Sequence, residues 1–160
     1  LKKKSALAVV PGAILGVIPP AIGWLTAGHS LGEQEFFALG LYYFIWQIPH
    51  YWLLVMLHYG GYKDAGYPTV MRLFGQGSLQ RLTFVWLIMT IFTGFFMVDI
   101  FNPESMLINI LLIINAIFAF ISSLKLLQKN FELTDARSVF WKINLAFLGA
   151  IILISIDRMI

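Results

Sequence analysis

The sequence predicts an all-α integral membrane protein, a helical bundle of five transmembrane spans. Apolar residues make up 59% of the 160 residues and charged residues only 12%, the reverse of what a water-soluble domain needs to cover its surface. The apolar residues fall in continuous runs of roughly 17–22 positions, each long enough to cross a hydrocarbon core of about 30 Å as a helix. Such runs do not alternate and are about twice the length of a barrel strand, which argues against a membrane β-barrel. A chain of 18.1 kDa has room for about five such spans and short loops, so residues 1–160 are predicted to form a single transmembrane domain.

Taken in order, the first span covers 6–25, is free of charge, and ends at Thr26-Ala27-Gly28-His29-Ser30. Gly12 and Gly16, with Ala8 one turn earlier, make a stripe of small residues suited to close helix packing. Pro19-Pro20 removes two backbone donors and predicts a kink. The second span, 36–57, carries the polar run Trp46-Gln47-Ile48-Pro49-His50-Tyr51-Trp52. The third is 82–98, with Ser78 before it, and the fourth is 106–124, opened by Pro103 and Ser105. The fifth is 139–156, with Thr134-Asp135 as its start signal and Lys142 snorkelling near one end.

Charge predicts how these spans are threaded. One side collects Lys2, Lys3, Lys4, Lys63, Arg72, Arg81, Lys125, Lys129, Arg137 and Lys142, ten of the eleven basic residues. The other side holds Glu33, Glu35, Asp99, Glu104, Asp157 and Arg158. The positive-inside rule makes the basic side cytoplasmic, or its organellar equivalent, and places the 58–81 loop there. No cysteine is present, so disulfides, thiolate nucleophiles and cysteine-held metal centres are excluded.

Polar residues inside a span need a reason, because each costs free energy in hydrocarbon unless it is paired. Gln47, Pro49 and His50 stand together at membrane depth, and Pro49 frees the carbonyl of Ile45. Tyr43, Trp46, His50, Leu53 and Leu57 share one helical face. Counting back from Leu57 at about 1.5 Å per residue puts His50 roughly 10 Å below the basic interface. His58 lies about 12 Å further along the helix, so the two histidines do not share one iron.

Four stretches together carry a resemblance: Leu1-Lys2-Lys3-Lys4-Ser5, Gly16-Val17-Ile18-Pro19-Pro20-Ala21-Ile22-Gly23-Trp24, the Trp46–Trp52 run, and Tyr62-Lys63-Asp64-Ala65-Gly66-Tyr67-Pro68. In this order they resemble the UbiA-type intramembrane prenyltransferase superfamily, and within it the branch that farnesylates haem. The similarity runs from Leu1 to about Val98, and the remainder matches only as hydrophobic spans. The resemblance implies nine transmembrane helices, of which this chain supplies the fifth to the ninth as the C-terminal part. It further implies two acidic loop motifs that hold Mg²⁺ and the diphosphate of the prenyl donor. The first of them is expected upstream of Leu1, and the second falls at 62–68. Where family members carry an acidic residue before the loop tyrosine, this chain has Gly61, leaving Asp64 as the carboxylate of the stretch.

The implied reaction transfers a farnesyl group from farnesyl diphosphate to a vinyl group of protohaem IX, so haem is a substrate rather than a cofactor. The implied catalytic residues are Asp64, Tyr62 and His50, with Asp64 also the candidate Mg²⁺ ligand. Lys63, Arg72 and Arg81 are the cations available to the diphosphate, Arg72 foremost because a guanidinium can bind phosphate with two parallel hydrogen bonds. Trp46, Tyr51 and Trp52, with Tyr43 and Trp24, are candidate aromatic walls for an allylic cation. The implied partners are the lipid bilayer and haem A synthase or the oxidase-assembly machinery, in a prokaryotic inner membrane or the mitochondrial inner membrane. Nucleic acid is not an expected partner. Two other readings stay open: prenylation of an aromatic quinone precursor, and a non-catalytic membrane haem-binding or assembly protein with Asn109, Asn115 and Asn144 as interhelical glue.

Overall fold

The fold is given by a computed structural model that describes residues 9–64 and 70–159. Among the described residues it is all helix: α1 (Val9–Gly12), a 3-10 stretch Ala13–Val17, α2 (Ile18–Thr26), α3 (Gln34–Leu57), α4 (Tyr59–Asp64), α5 (Val70–Phe74), α6 (Gln76–Phe101), α7 (Met106–Ser123), a 3-10 turn Leu124–Leu127, and α8 (Leu133–Asp157). Four segments, Val9–Thr26, Gln76–Phe101, Met106–Leu127 and Leu133–Asp157, are long and apolar enough to cross a membrane.

The predicted second span folds as α3, a helix of 24 residues, yet it is not one of these four. Its glutamine, proline, histidine and ring-bearing residues lower its hydropathy. Packing supplies the reason this is tolerated. α3 lies against α6, α8 and the 3-10 stretch and also touches α2 and α5, burying Ala38, Tyr42, Ile48, Trp52, Leu53 and Met56 among others. A helix wrapped by its neighbours meets protein rather than lipid and need not be apolar all round.

Proline shapes the first span. Pro19 and Pro20 sit in the first turn of α2, so the carbonyls of Leu15 and Gly16 lose their α-helical donors. The chain tightens over Ala13–Val17, where the Ile18 N–H turns back to Leu15 O. The small-residue stripe acts through one of its glycines: a Cβ on Gly16 would stand 2.9 Å from Gln47 Oε1, whereas nothing lies within 4 Å of Gly12. Ala13 is fully buried beside it.

The helix starts differ in detail from the expected capping residues. Ser105 caps α7 as predicted by accepting from the Ile108 N–H. At α8 the cap is Glu132 rather than Thr134: Asp135 accepts from the Glu132 N–H at 3.1 Å, and Glu132 accepts in return from the Asp135 backbone, closing a reciprocal box. Ser78 lies inside α6, which opens two residues earlier at Gln76 after Gly75, whose φ of 73° suits glycine.

The long helices alternate in direction, so each end of the bundle has its own fastenings. At the acidic end Asp157 accepts from the N–H groups of Glu104 and Ser105 at 3.2 and 3.1 Å. Arg158 beside it donates to Phe101 O. This ties α8 to the end of α6 and to the start of α7. In the loop after α2, Glu33 accepts from the Ser30 N–H, and this bond, with His29 nearby, holds its carboxyl below the usual range. At the basic end Gln76 donates to Phe131 O and Lys125 pairs with Asp135 at 3.2 Å.

α6 also approaches α3 closely. A Cβ on Gly94 would stand 3.2 Å from the Tyr42 ring, while one on Gly23 would meet nothing within 4 Å. Gly94→Leu is therefore expected to destabilise the bundle by about 1–3 kcal/mol through overpacking. Gly23→Ala is expected to stabilise it by about 0.5–1 kcal/mol. Thermal unfolding of the full-length protein in detergent reads both signs, and a silent Gly94→Leu would refute the close crossing.

Candidate functional site

The face of α3 that carries Tyr43, Trp46 and His50 turns toward α8. Phe147 of α8 is the centre of the contact: Trp46 stacks on it with centroids 3.9 Å apart, Tyr42 stacks at 5.0 Å, and Tyr43 meets it edge-on at 4.8 Å. Offset and edge-on pairs of this kind add attraction beyond their buried area. One turn further toward the basic end, His50 lies 4.7 Å from Trp46 and 5.1 Å from Phe140 between ring centroids. Tyr51 meets the same imidazole edge-on at 5.7 Å.

His50 has one polar partner in this wall. Its Nδ1 is 2.9 Å from Asn144 Oδ1, and Asn144 Nδ2 donates to Phe140 O at 2.6 Å. Trp46 has none: its indole N–H is buried and without an acceptor among the described residues. Trp46 also borders an apolar cavity of about 230 Å³ between α3, α6, α7 and α8, whose lining includes Tyr42, Gly94, Asn115 and Phe147. Asn115 spends its Nδ2 on Ala146 O at 2.8 Å. Cavity, Trp46 and His50 thus follow one another along the seam between α3 and α8.

Other residues chosen from the sequence go elsewhere. Trp52 is 3% exposed and faces Trp86 of α6 at 6.1 Å, so it belongs to the packed core with Leu53, Val70 and Leu79. Helical rotation explains this, since two residues turn a side chain about 200° away from His50. Trp24 lies at the opposite end of the bundle, 4.8 Å from His29 and 6.3 Å from Phe101. Arg72 stands exposed on the short α5 and Arg81 exposed near the start of α6, where Arg81 donates to Ser78 Oγ at 3.3 Å. The side chains of Tyr62, Lys63 and Asp64, and the rest of that loop to Thr69, lie outside the described residues.

Among the described residues no three or more Asp, Glu, His or Cys side chains gather as a metal site. The acids nearest the basic end are already engaged, Asp135 with Lys125 and Glu132 in the α8 cap. The described side chains alone therefore do not make a Mg²⁺ centre. Sequence reasoning left Phe140 and Phe147 unnamed and treated Asn144 as interhelical glue. The signal for Asn144 was an amide in an apolar span, four residues from Phe140.

A central helix that carries a polar cluster walled by aromatic rings, packed among long apolar helices, defines a helical bundle of the membrane type. The model of the UbiA prenyltransferase family matches residues 1–148, and the chain belongs to that family. It is 41% identical over 68 residues to a protoheme IX farnesyltransferase of Geobacter sulfurreducens, covering 42% of this chain and 25% of that protein. It is 36% identical over 96 residues to the protoheme IX farnesyltransferases of Bacillus thuringiensis and Bacillus cereus, covering 60% of this chain and 31% of each of those proteins. The matches therefore span between a quarter and a third of these relatives. No solved structure matches the chain.

The His50–Asn144 bond crosses between two helices, so its strength is measurable by a double-mutant cycle. Replacing His50 and Asn144 singly and together in the full-length protein is expected to give a coupling of about 0.5–1.5 kcal/mol. Additive losses would mean that the two side chains act independently.

Proposed function

We propose that the chain forms part of a membrane prenyltransferase that transfers a farnesyl group from farnesyl diphosphate to a vinyl group of protohaem IX, making haem O for terminal oxidases. The observation that carries the reading is the His50 site, an imidazole set among flat aromatic rings inside the bundle of a chain whose relatives bear the name protoheme IX farnesyltransferase. Planar rings suit a porphyrin acceptor, and their electron-rich faces suit an allylic cation.

In this reaction the bond between farnesyl C1 and the diphosphate oxygen breaks, and its electron pair leaves with the diphosphate. The allylic cation forms a carbon–carbon bond to the outer vinyl carbon. Water adds to the cation left on the inner vinyl carbon and loses a proton, giving a hydroxyethylfarnesyl group. Fixed cations lower the first barrier by stabilising charge on the leaving diphosphate. Lys63, Arg72 and Arg81 take that role here. Asp64, together with the acidic motif that the resemblance places upstream of Leu1, would hold Mg²⁺, which would supply further neutralisation of the same charge. Trp46, Tyr51 and the apolar cavity exclude water until the carbon–carbon bond has formed.

The positive-inside bias supports placing the 58–81 loop on the cytoplasmic side of a prokaryotic inner membrane, where a water-soluble diphosphate arrives. The test uses the complete gene expressed in membranes that lack haem O synthase, supplied with farnesyl diphosphate, protohaem and Mg²⁺. A hydroxyethylfarnesyl haem, resolved by chromatography and mass spectrometry and lost on chelation, is the expected product. Arg72→Ala is expected to raise the KM for farnesyl diphosphate about tenfold, the loss of one charge-assisted contact. Prenylation of an aromatic acceptor with no haem product would overturn the haem assignment and keep the transfer.

A further inference from the structure

The two ends of the Asn144 amide are committed in different directions. Its Nδ2 donates to Phe140 O at 2.6 Å, so the atom that faces His50 Nδ1 at 2.9 Å is the oxygen, Oδ1. An amide oxygen only accepts. The proton of the neutral imidazole therefore sits on Nδ1, and Nε2 carries the lone pair. No group among the described residues hydrogen-bonds to Nε2, although the ring is packed against Trp46 and Phe140. A histidine that ligates a metal has this arrangement, its far N–H given to a fixed oxygen that sets both tautomer and ring angle.

We propose that His50 Nε2 is the axial ligand that holds the iron of the haem acceptor, and that Asn144 is the positioning residue that presents it. This rests on the reading of haem as acceptor and adds how the acceptor is held. The other histidines are engaged elsewhere: His58 gives its Nδ1 to Leu54 O at the end of α3, and His29 pairs with Glu33 at the opposite end of the bundle. Neither of them lies beside His50, and the haem would be held from one side by this single histidine. A single neutral ligand would hold the porphyrin by its iron and leave its edge, where the vinyl groups are, to the reaction.

The experiment loads the full-length protein with ferrous haem and records its optical and resonance Raman spectra. The wild type is expected to show a five-coordinate haem with an iron–histidine vibration. His50→Gly is expected to lose that vibration and to regain it when imidazole is added. Asn144→Leu is expected to bind haem about tenfold more weakly and to shift the iron–histidine frequency. Metal-free protoporphyrin, which has no iron to ligate, is expected to bind wild type and His50→Gly alike and so reports that the variant is folded. A His50→Gly protein that binds the metal-free ring but keeps the iron–histidine vibration, or is not restored by imidazole, would overturn the proposal. Haem O formation by the wild type would then leave the farnesyl-transfer reading intact, whereas a wild type that neither binds nor converts haem would overturn both.

Discussion

Hydrocarbon leaves a polar group no water to turn to, and the arrangement of this bundle follows from how α3 meets that constraint. Gln47, Pro49 and His50 lie in the middle of a helix of 24 residues, where each would be costly against lipid. α3 is therefore surrounded: the 3-10 stretch lies against Gln47 through Gly16, and α8 reaches His50 through Asn144. On the other faces α6 takes Tyr42 and Trp52, the one against Gly94 and the other against Trp86. The outer helices can then be apolar on their exposed faces, where Phe92, Leu107, Trp141 and Leu145 are more than 60% exposed. Such faces suit lipid or further transmembrane helices.

The same constraint shows in how other polar side chains are used, the buried indole N–H groups of Trp46 and Trp52 excepted. Thr83 and Thr90 are buried in α6 and return their hydroxyls to the carbonyls of Leu79 and Trp86. Asn115 binds the backbone of α8, and Ser123 that of its own helix. Each is satisfied locally, without a partner that titrates. His50 differs because its bond crosses to another side chain and commits only one of its two ring nitrogens. This asymmetry comes from Asn144 as much as from the histidine.

Much of the fold was legible in the sequence because length and apolarity are local properties. The runs at 82–98, 106–124 and 139–156 needed nothing but composition to be read as helices, and Ser105 announced the start of α7. The central position of α3 was not legible, because it depends on which helices gather round it. The polar run within α3 was the only hint. The same limit applies to the site. Trp46, His50 and Tyr51 were picked out from one stretch of chain and lie together. Trp52 came from the same stretch and faces the other way, for helical rotation separates residues that adjacency joins. Phe140, Asn144 and Phe147 arrive from the last helix, roughly a hundred residues away in sequence, and no spacing rule within α3 could have named them.

Two chemistries have to meet in a prenyl transfer, a charged departure and an apolar addition, and they need opposite surroundings. Diphosphate departs best among water-exposed cations, whereas the allylic cation survives only where water is excluded. In this chain the two environments are separated along α3 and its continuation. Arg72 and Arg81 are exposed on the short α5 and near the start of α6, the elements that follow α3, and the aromatic wall runs from Tyr51 and His50 to Trp46 and the cavity. The distance from Leu57 to His50 is roughly 10 Å at 1.5 Å per residue, less than the length of an extended farnesyl chain. Under the proposed reaction one prenyl diphosphate would keep its diphosphate at the charged end and lay its hydrocarbon along the aromatic wall. A helix whose polarity changes along its length in this way is poorly suited to spanning a membrane alone, and that is the physical reason it lies at the centre of the bundle.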